Sequence, residues 1–412
     1  MRRLPALLGV LLVVVALAAP ATSGVAATQT STPTDGDRFP RVTTVENLTN
    51  HLTIPEENVR QAEYGTTGID VGAAVSLSTQ RLHREHDARS FERAFFRANN
   101  ESARTRLIRA ELDSIEQRQA ALAERQQRQL QQYASGSVSV DSLVRTRAVV
   151  DAEARELAQT LDTVDRVERS EPAFTMASGQ RTRLENIRGQ LRVLRGPVGD
   201  RLGRSFTGEI PPNAVYVMAS DQDYMLATTA GQAYIRETHL ASARDPTASD
   251  QFVTSDTDPL RAANTRAEDL YPWLYSQQLP SVNTYGTSSI YRLTANHPSG
   301  QLTTYIDGGT TDVFHESQRL QLSTIRASET RVTINDSVRV EVTRTYETGP
   351  VRVSVRNNDT GAPMAGTVAV SGREVGTTGD DGTLWTVEPR GSYSVEVRTR
   401  SGTNTTVAVL GT

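Results

Sequence analysis

The sequence contains no cysteine and no lysine. Without cysteine the chain can form no disulfide and offers no thiolate for catalysis or metal binding. All 44 basic residues are therefore arginines, and they stand against 48 acidic residues for a net charge of −4. A mildly acidic balance of this kind gives the chain little attraction for nucleic acid. Stability must come from packed cores, and 412 residues are enough for two or three of them.

Histidine is also scarce, with six residues in the whole chain. His83 and His86 are three residues apart on a segment predicted to be helical. A zinc site needs further ligands, and the metalloprotease pattern His-Glu-x-x-His is absent, so we interpret this pair as part of a solvated helix face. We find no nucleophile elbow, phosphate-binding glycine loop or dinucleotide-binding motif. The sequence therefore predicts no enzyme activity and no cofactor.

Long apolar runs are confined to the N-terminus. Arg2 and Arg3 precede an apolar segment over 4–19, and small residues follow as far as Ala27. This order predicts a cleaved signal peptide over residues 1–27 and an exported protein, extracellular or at the cell surface. An uncleaved segment that anchors the protein in the membrane is the alternative. After residue 27 no apolar stretch is long enough for a stable membrane span.

The first part of the predicted mature chain is polar and then helical. Residues 28–43 are rich in threonine and contain proline, which indicates a flexible leader. From 44 to 207 a helical domain is predicted, since apolar residues recur at steps of three and four over 101–134 and 140–169. The second of these segments has a seam typical of a coiled coil. We expect an antiparallel bundle or coiled coil, with self-association through the same seam as a further possibility.

The hydrophobic period changes to two after residue 212. Residues 213–320 combine predicted strands with a helix that begins at Asp258-Pro259, bends at Pro272 and is followed by a short helix near Thr311. Residues 321–350 are predicted as a β linker region. The overall prediction is a multi-domain fold with an all-α N-terminal domain, a central α+β domain and an all-β C-terminal sandwich.

The C-terminal segment, residues 351–412, contains turn glycines at regular intervals between alternating strands. The motifs, in chain order, are Thr360-Gly361-x-Pro363, Gly376-x-x-Gly379-x-Asp381-Gly382 and Pro389-x-Gly391-x-Tyr393-x-Val395. With these motifs the segment resembles carboxypeptidase regulatory-like (transthyretin-like) domains. The resemblance implies a non-catalytic β-sandwich with turn glycines at positive φ and the tyrosine in its core.

The preceding residues, 42–350, resemble secreted halobacterial proteins built from consecutive domains of unknown function. The stretches that carry the resemblance are Tyr64–Gly72, Leu270–Leu274 and Tyr305–Phe314. Arginine without lysine, mild acidity and no cysteine also suit a salt-adapted archaeon. This family implies no activity. The helix, strand, turn, strand order of 259–314 resembles PepSY-type domains, which are linked to peptidase inhibition.

The densest polar cluster of the sequence lies between Asp307 and Glu316. Asp307, Asp312 and Glu316 are weak candidates for a metal site, because Ca²⁺ needs several carboxylates and carbonyls converging on one point. The spacing lacks the alternating ligands of an EF-hand loop. The simpler interpretation is that Gly308-Gly309 lets a strand turn into a helix capped by a threonine.

These observations predict a secreted or cell-surface, non-catalytic protein that binds an unknown protein or glycan of the archaeal envelope. Nucleic acid is not an expected partner. Two alternatives remain. One is a peptidase inhibitor or secretion helper with a PepSY-like central domain, and the other is a hydrolase that uses the Asp307–Glu316 loop.

Five Asn-x-Ser/Thr sequons predict N-glycosylation of the exported chain, at Asn358, Asn404, Asn335, Asn47 and Asn100. Asn358 and Asn404 rank first because they fall in predicted turns, whereas Asn100 is also a predicted helix cap. Intact-mass measurement of protein from its native host should find a chain that begins near Thr28 and is heavier than the bare polypeptide. A mass equal to that polypeptide would refute glycosylation, and a retained Met1 would refute cleavage.

Overall fold

The structure is a computed structural model that describes residues 41–411. The predicted signal peptide and the predicted leader as far as residue 40 lie outside the described residues. Within 41–411, no helix is both long enough and apolar enough to cross a membrane.

Three short strands precede a run of five helices. The elements are β1 (Val42–Thr43), β2 (His51–Leu52), β3 (Gln61–Thr66), α1 (Val71–Arg97), α2 (Glu101–Ala134), α3 (Val140–Arg169), α4 (Ser178–Val193) and α5 (Pro197–Phe206). Asp70, Asn100 and Ser139 each accept a hydrogen bond from a backbone N–H three residues later, which caps α1, α2 and α3. The helices thus occupy residues 71–206, and the segment before them is extended.

The central part of the chain is a meander interrupted by two helices. Its elements are β4 (Ala214–Ala219), β5 (Asp223–Ala230), β6 (Ala233–Leu240), α6 (Pro259–Leu270), α7 (Pro272–Gln277), β7 (Ser281–Thr284), β8 (Ile290–His297), β9 (Gly300–Asp307) and β10 (Val313–Gln321). Asp258 caps α6 as predicted. The helical segment is interrupted at Tyr271, because Pro272 cannot continue the hydrogen-bond ladder.

The short helix predicted near Thr311 is wrong. Thr311 has a φ of 59° and donates its N–H to the carbonyl of Asp307, while the N–H of Asp307 is donated to the carbonyl of Asp312. These bonds close a tight turn, and the chain continues from it directly into β10. Val313 and Phe314 are both buried, which favours a strand inside the sheet over an exposed helical turn.

Strands β3 to β10 form one eight-stranded antiparallel sheet in the order β3-β4-β5-β6-β10-β9-β8-β7. Successive side chains of a strand point to opposite faces, so each strand contributes to two cores. In β4, Val215 and Val217 pack with residues of α2, α3 and α5. Tyr216 and Met218 belong instead to a core shared with α6, α7 and the C-terminal strands. The sheet is therefore covered on both faces.

The C-terminal part is all-β. Its strands are β11 (Glu329–Asn335), β12 (Val338–Arg344), β13 (Pro350–Asn357), β14 (Gly366–Val370), β15 (Arg373–Thr377), β16 (Thr383–Val387), β17 (Tyr393–Thr399) and β18 (Asn404–Val409). They form two four-stranded sheets, β11-β12-β13-β16 and β15-β14-β17-β18. Two strands, β11 and β12, lie inside 321–350; β11 pairs with β12, and β12 pairs with β13.

The turns of this sandwich contain glycines at positive φ, as the sequence predicts. Gly361, Gly382 and Gly391 have φ values of 71°, 71° and 75°, a region that suits glycine. Tyr393 is buried as expected. Cross-contacts attach the sandwich to the central sheet, since Thr229 donates its hydroxyl to the carbonyl of Trp385 at 2.7 Å.

Helices α2, α3 and α4 share one hydrophobic core. Most of the apolar positions that give these helices their period are buried together in it: Ile108, Leu112, Ile115, Leu122, Val150, Ala154, Leu157, Leu161, Val164, Leu184, Ile187 and Leu191. Leu130, Tyr133 and Leu143 are buried instead in the core that the helices share with the sheet. Mutual packing of 101–134 with 140–169 is confirmed. Most of the stability of such helices comes from this apolar face and not from intrinsic propensity.

Leu157→Asp should destabilise the full-length protein by about 3 kcal/mol or more, because it buries an unpaired charge in the core of the bundle. The matched control is Leu82→Asp on α1, where the leucine is 67% exposed. Thermal unfolding followed by circular dichroism should show a clear loss for the first variant and little change for the second. Equal melting temperatures for Leu157→Asp and the unsubstituted protein would contradict the packing of α3.

Candidate functional site

Asp307, the first predicted site residue, is tied into the turn that ends β9. Its Oδ2 accepts hydrogen bonds from the N–H groups of Asp245 at 3.2 Å and Thr310 at 3.0 Å. Its Oδ1 lies 3.6 Å from the Nε of Arg244. The carboxylate is fully buried. Two backbone donors hold Oδ2 and a guanidinium lies near Oδ1, which is the arrangement of a structural turn residue.

Glu316 lies on β10, away from that turn. Its Oε1 accepts the N–H of Leu52 at 3.0 Å, and its Oε2 accepts the hydroxyl of Tyr271 at 2.5 Å. Gln318 donates to the same carboxylate at 3.1 Å. Burial raises the pKa of Glu316 to about 7. The residue therefore connects the N-terminal segment and the start of α7 to the sheet.

The structure does not bring the three metal candidates together. The third, Asp312, lies 3.7 Å from the Nη2 of Arg266 on α6. Among residues 41–411 no group of three or more histidine and carboxylate side chains could hold a metal ion. His83 and His86 are both exposed on α1, as predicted.

All five sequon asparagines are exposed. Asn358 lies in the turn after β13, and Asn404 is the first residue of β18. The Nδ2 of Asn335 donates to the carbonyl of Asn404 at 2.9 Å. Asn100 accepts the N–H of Ala103 as the cap of α2, so a glycan there would compete with the cap.

A cleft that sequence reasoning missed lies between helices α3 to α5 and one face of the sheet. Its cavity has a volume of about 400 Å³ and is open to solvent. Seven arginines line it, together with a single carboxylate, Asp200. The arginines are Arg155, Arg192, Arg195, Arg201, Arg204, Arg292 and Arg319. We call this site the arginine cleft.

The spacing of the arginines along their helices and strands places their side chains on the side that faces the cleft. Arg201 and Arg204 are three residues apart, a spacing that places them on one face of α5. The same spacing separates Arg192, in the last turn of α4, from Arg195 just beyond it. On β10, Arg319 stands between the buried Gln318 and Leu320 and so faces the opposite side of the sheet from them.

Five of the seven arginines have no carboxylate within ion-pair distance among the described residues: Arg192, Arg195, Arg201, Arg292 and Arg319. Arg155 is different, since its Nε lies 2.6 Å from Asp151 and 3.5 Å from Asp200. Arg204 lies 3.5 Å from Glu209. Most of the positive charge of the cleft is therefore not neutralised by protein carboxylates.

Partial burial of these guanidinium groups costs free energy, because they lose hydrogen bonds to water. The Nε atoms of Arg192, Arg195, Arg201 and Arg292 are buried without a hydrogen-bond partner in the described part of the chain. Burial, and then the nearby charge of Arg155, lowers the pKa of Arg195. Such a cluster of half-desolvated guanidinium groups is stabilised when an anion supplies the missing acceptors.

A buried ion pair stands behind the cleft. Arg147 of α3 places its Nη2 2.6 Å from Oε1 of Glu237 on β6, and both side chains are almost fully buried. Although burial raises the pKa of Glu237, the Arg147 guanidinium holds it below its ordinary value. Glu237 also accepts the N–H groups of Val198 and Gly199 through Oε2, at the start of α5.

The same network holds the corner between α4 and α5. Arg147 donates to the carbonyl of Leu194 at 2.9 Å, and Gly196 donates its N–H to Asp151 at 2.7 Å. A side chain at Gly196 would overlap the carboxylate of Glu237. Because this corner is fixed, the backbone that carries Arg195 is held beside the cleft.

One signal in the sequence could have pointed to this site. Arg147 interrupts an otherwise apolar seam on α3, and a charged residue in a seam is buried only when it has a partner. The two Arg-x-x-Arg pairs on α4 and α5 flank Gly196-Pro197. Their convergence with Arg292 and Arg319 depends on the register of the sheet, which the sequence does not show.

The pH dependence of unfolding should report on Glu316. An ordinary glutamate titrates near 4.5, whereas the folded carboxyl has a pKa of about 7. Between these values the folded state retains a proton that the unfolded state has lost, so stability falls as pH rises through the window, by about 3 kcal/mol in total. Glu316→Gln should remove that part of the pH dependence.

Denaturant unfolding at pH 5 and pH 8 measures the effect, and Glu374→Gln on the exposed side of β15 is the control. The control should keep the pH dependence of the unsubstituted protein. If Glu316→Gln also keeps it, the carboxyl of Glu316 does not titrate in this window.

Comparison with known families gives three consecutive matches. Residues 1–210 match a domain of unknown function (DUF7096), residues 215–326 match a family of unknown function (DUF7094), and residues 329–406 match an archaeal fibronectin-III type-like domain. No curated protein and no solved structure matches the chain.

The third match begins at β11, so it includes the two strands of the region predicted as a linker. It describes a fibronectin-III-like sandwich where the sequence resembled carboxypeptidase regulatory-like modules, and both descriptions are β-sandwiches. None of the three families is described as an enzyme. The first match covers just over half of the 412 residues, and the chain therefore belongs to the DUF7096 family, in an archaeal arrangement with a DUF7094 region and a fibronectin-III type-like domain.

Proposed function

We propose that this protein is a secreted or cell-surface, non-catalytic protein of a salt-adapted archaeon that binds an anionic ligand in the arginine cleft. The observation that carries the proposal is the group of five cleft arginines without a carboxylate partner among residues 41–411. In a chain with more acidic than basic residues, carboxylates are abundant enough to pair with every arginine. These unpaired arginines also converge on one cavity, and four of them bury an Nε without a hydrogen-bond partner among the described residues, which favours an external anion.

Energetics support the same function. Guanidinium groups crowded into a half-buried space repel one another, and solvent screens that repulsion less than it does at the surface. An anion that accepts hydrogen bonds from two or more of them removes the repulsion and satisfies buried donors. Because the α4–α5 corner is fixed by the Arg147–Glu237 pair, little ordering cost arises on binding.

Export is supported by the N-terminal sequence pattern and not by the fold. The charged start, apolar run and small residues of 1–27 are typical of a signal peptide. The fibronectin-III type-like sandwich suits a supporting role beneath the binding domain. The hydrolase alternative gains no support, since Asp307 and Glu316 are both buried and hydrogen-bond to different protein groups.

The proposal is tested by calorimetric titration of the full mature chain with inorganic tripolyphosphate. We expect saturable binding that Arg195→Gln weakens by about tenfold or more, because the substitution removes a charge-assisted hydrogen-bond donor from the cleft. Arg81→Gln on α1, where the side chain is 70% exposed, should leave binding unchanged.

Two results would overturn the proposal. One is a titration of the unsubstituted protein without saturable heat at low ionic strength. The other is equal weakening by Arg195→Gln and Arg81→Gln, which would indicate attraction by overall charge and no defined site. Circular dichroism of both variants verifies that they fold.

A further inference from the structure

Six of the seven arginines of the cleft, all except Arg155, fall into two groups. The half-buried inner group surrounds Tyr305, and the outer group lies toward solvent. The inner group is Arg192, Arg195 and Arg292, and the outer group is Arg201, Arg204 and Arg319. Burial raises the pKa of Tyr305 while the charges of the inner group oppose that rise. Burial, followed by the charges of Arg204 and Arg319, lowers the pKa of Arg201. Each group is therefore a local cluster of positive charge.

Strand register sets the distance between the groups. Tyr305 of β9 is directly opposite Arg292 of β8, and Gln301 of β9 is directly opposite Arg319 of β10. Tyr305 and Gln301 are four residues apart on the same strand, which corresponds to about 13 Å along the sheet. A span of this length favours an extended ligand with separated anionic groups over a single small anion.

Two hydroxyl groups lie between the arginine groups. Thr303 is midway between Gln301 and Tyr305 on β9, and its register partner on β10 is Ser317. Both residues line the cleft and are partly exposed. Neither hydroxyl makes a hydrogen bond to any residue that the structure describes. The hydroxyl groups of Thr303 and Ser317 are therefore neutral donors and acceptors that lie between two positively charged groups of arginines.

The described lining of the cleft lacks an exposed aromatic face on which a single-stranded nucleic acid could stack its bases. Tyr305 is the one aromatic residue among its described lining residues, and only 5% of its surface is exposed. Tyr285, close by, is 7% exposed, and the guanidinium of Arg192 lies 5.8 Å from its ring centre. No aromatic face is open for a base to stack on, and base stacking supplies much of the affinity for single strands. Sugars with hydroxyl groups need no such face.

We propose that the arginine cleft binds a linear acidic oligosaccharide, with one anionic group at the inner arginines, one at the outer arginines and the hydroxyls of the intervening sugar on Thr303 and Ser317. This inference rests on the proposed anion-binding function and adds the class of ligand. Sulfate and carboxylate groups share the chemistry that a guanidinium recognises, since both accept two parallel hydrogen bonds. The cavity of about 400 Å³ is within the range of small-molecule sites.

The test is calorimetric titration of the full mature chain with four probes. These are a heparin-derived sulfated tetrasaccharide, an oligogalacturonate of the same length, tripolyphosphate and a single-stranded DNA oligonucleotide. We expect one or both oligosaccharides to bind more tightly than tripolyphosphate, and the DNA to bind most weakly. Comparison of the two sugars tells whether sulfate or carboxylate is preferred.

Three variants distinguish a bridging ligand from a compact one. For the tighter oligosaccharide, Arg195→Gln and Arg319→Gln should each weaken binding by about tenfold, because each removes a donor at one end. Thr303→Val, which replaces the hydroxyl by a methyl group of similar size, should weaken it by about threefold. Tripolyphosphate is too short to reach both groups and should not respond to Thr303→Val. The control remains Arg81→Gln, which should affect none of the probes.

The failures are distinguishable. If tripolyphosphate binds in the manner expected but neither oligosaccharide does, the ligand class is wrong and anion binding stands. The same conclusion follows if the affinity for the oligosaccharide is unchanged by Arg319→Gln and by Thr303→Val. If the DNA binds most tightly, the ligand is a polynucleotide and the inference is overturned. If no probe binds at all, the proposed function itself fails. Circular dichroism and thermal melting of each variant exclude loss of folding as the cause.

Discussion

The buried ion pair between Arg147 and Glu237 joins the helical bundle to the central sheet and holds the corner on which the cleft depends. Removing either partner would leave an unpaired charge in the interface, at a cost of about 3–5 kcal/mol. The carboxylate of Glu237 also receives the first N–H groups of α5, where the helix dipole favours negative charge. One side chain thus positions a strand, a helix start and a neighbouring helix together.

The cleft is positively charged because the nearby carboxylates interact with groups other than most of its arginines. Glu237 and Asp151 point inward, toward Arg147, Arg155 and the backbone of Gly196. Among the described residues, they make no ion pair with the five unpaired arginines of the cleft. A protein with net negative charge thereby maintains one cavity of opposite sign, and such local contrast concentrates and steers anionic ligands.

The two faces of the sheet carry different chemistry because side chains alternate along each strand. On β10, Ser317 and Arg319 face the cleft, whereas Glu316 and Gln318 hold the N-terminal segment on the other face. The face away from the cleft is packed against α6, α7 and the fibronectin-III type-like sandwich. That packing fixes the backbone positions from which Arg292 and Arg319 reach the cleft.

The elements that depend on local sequence were predictable. Periods of three to four and of two identified the helices and most strands, Asn100 and Asp258 marked helix starts, and the turn glycines marked the sandwich. The helix near Thr311 was mispredicted because a hydrogen-bonded turn and burial in the sheet prevailed over a cap-like sequence. The arginine cleft was beyond sequence reasoning, since its lining residues come from three helices and four strands. Only the tertiary structure decides which of the 44 arginines meet, because strand register and the α4–α5 corner are set by contacts between residues far apart in the chain.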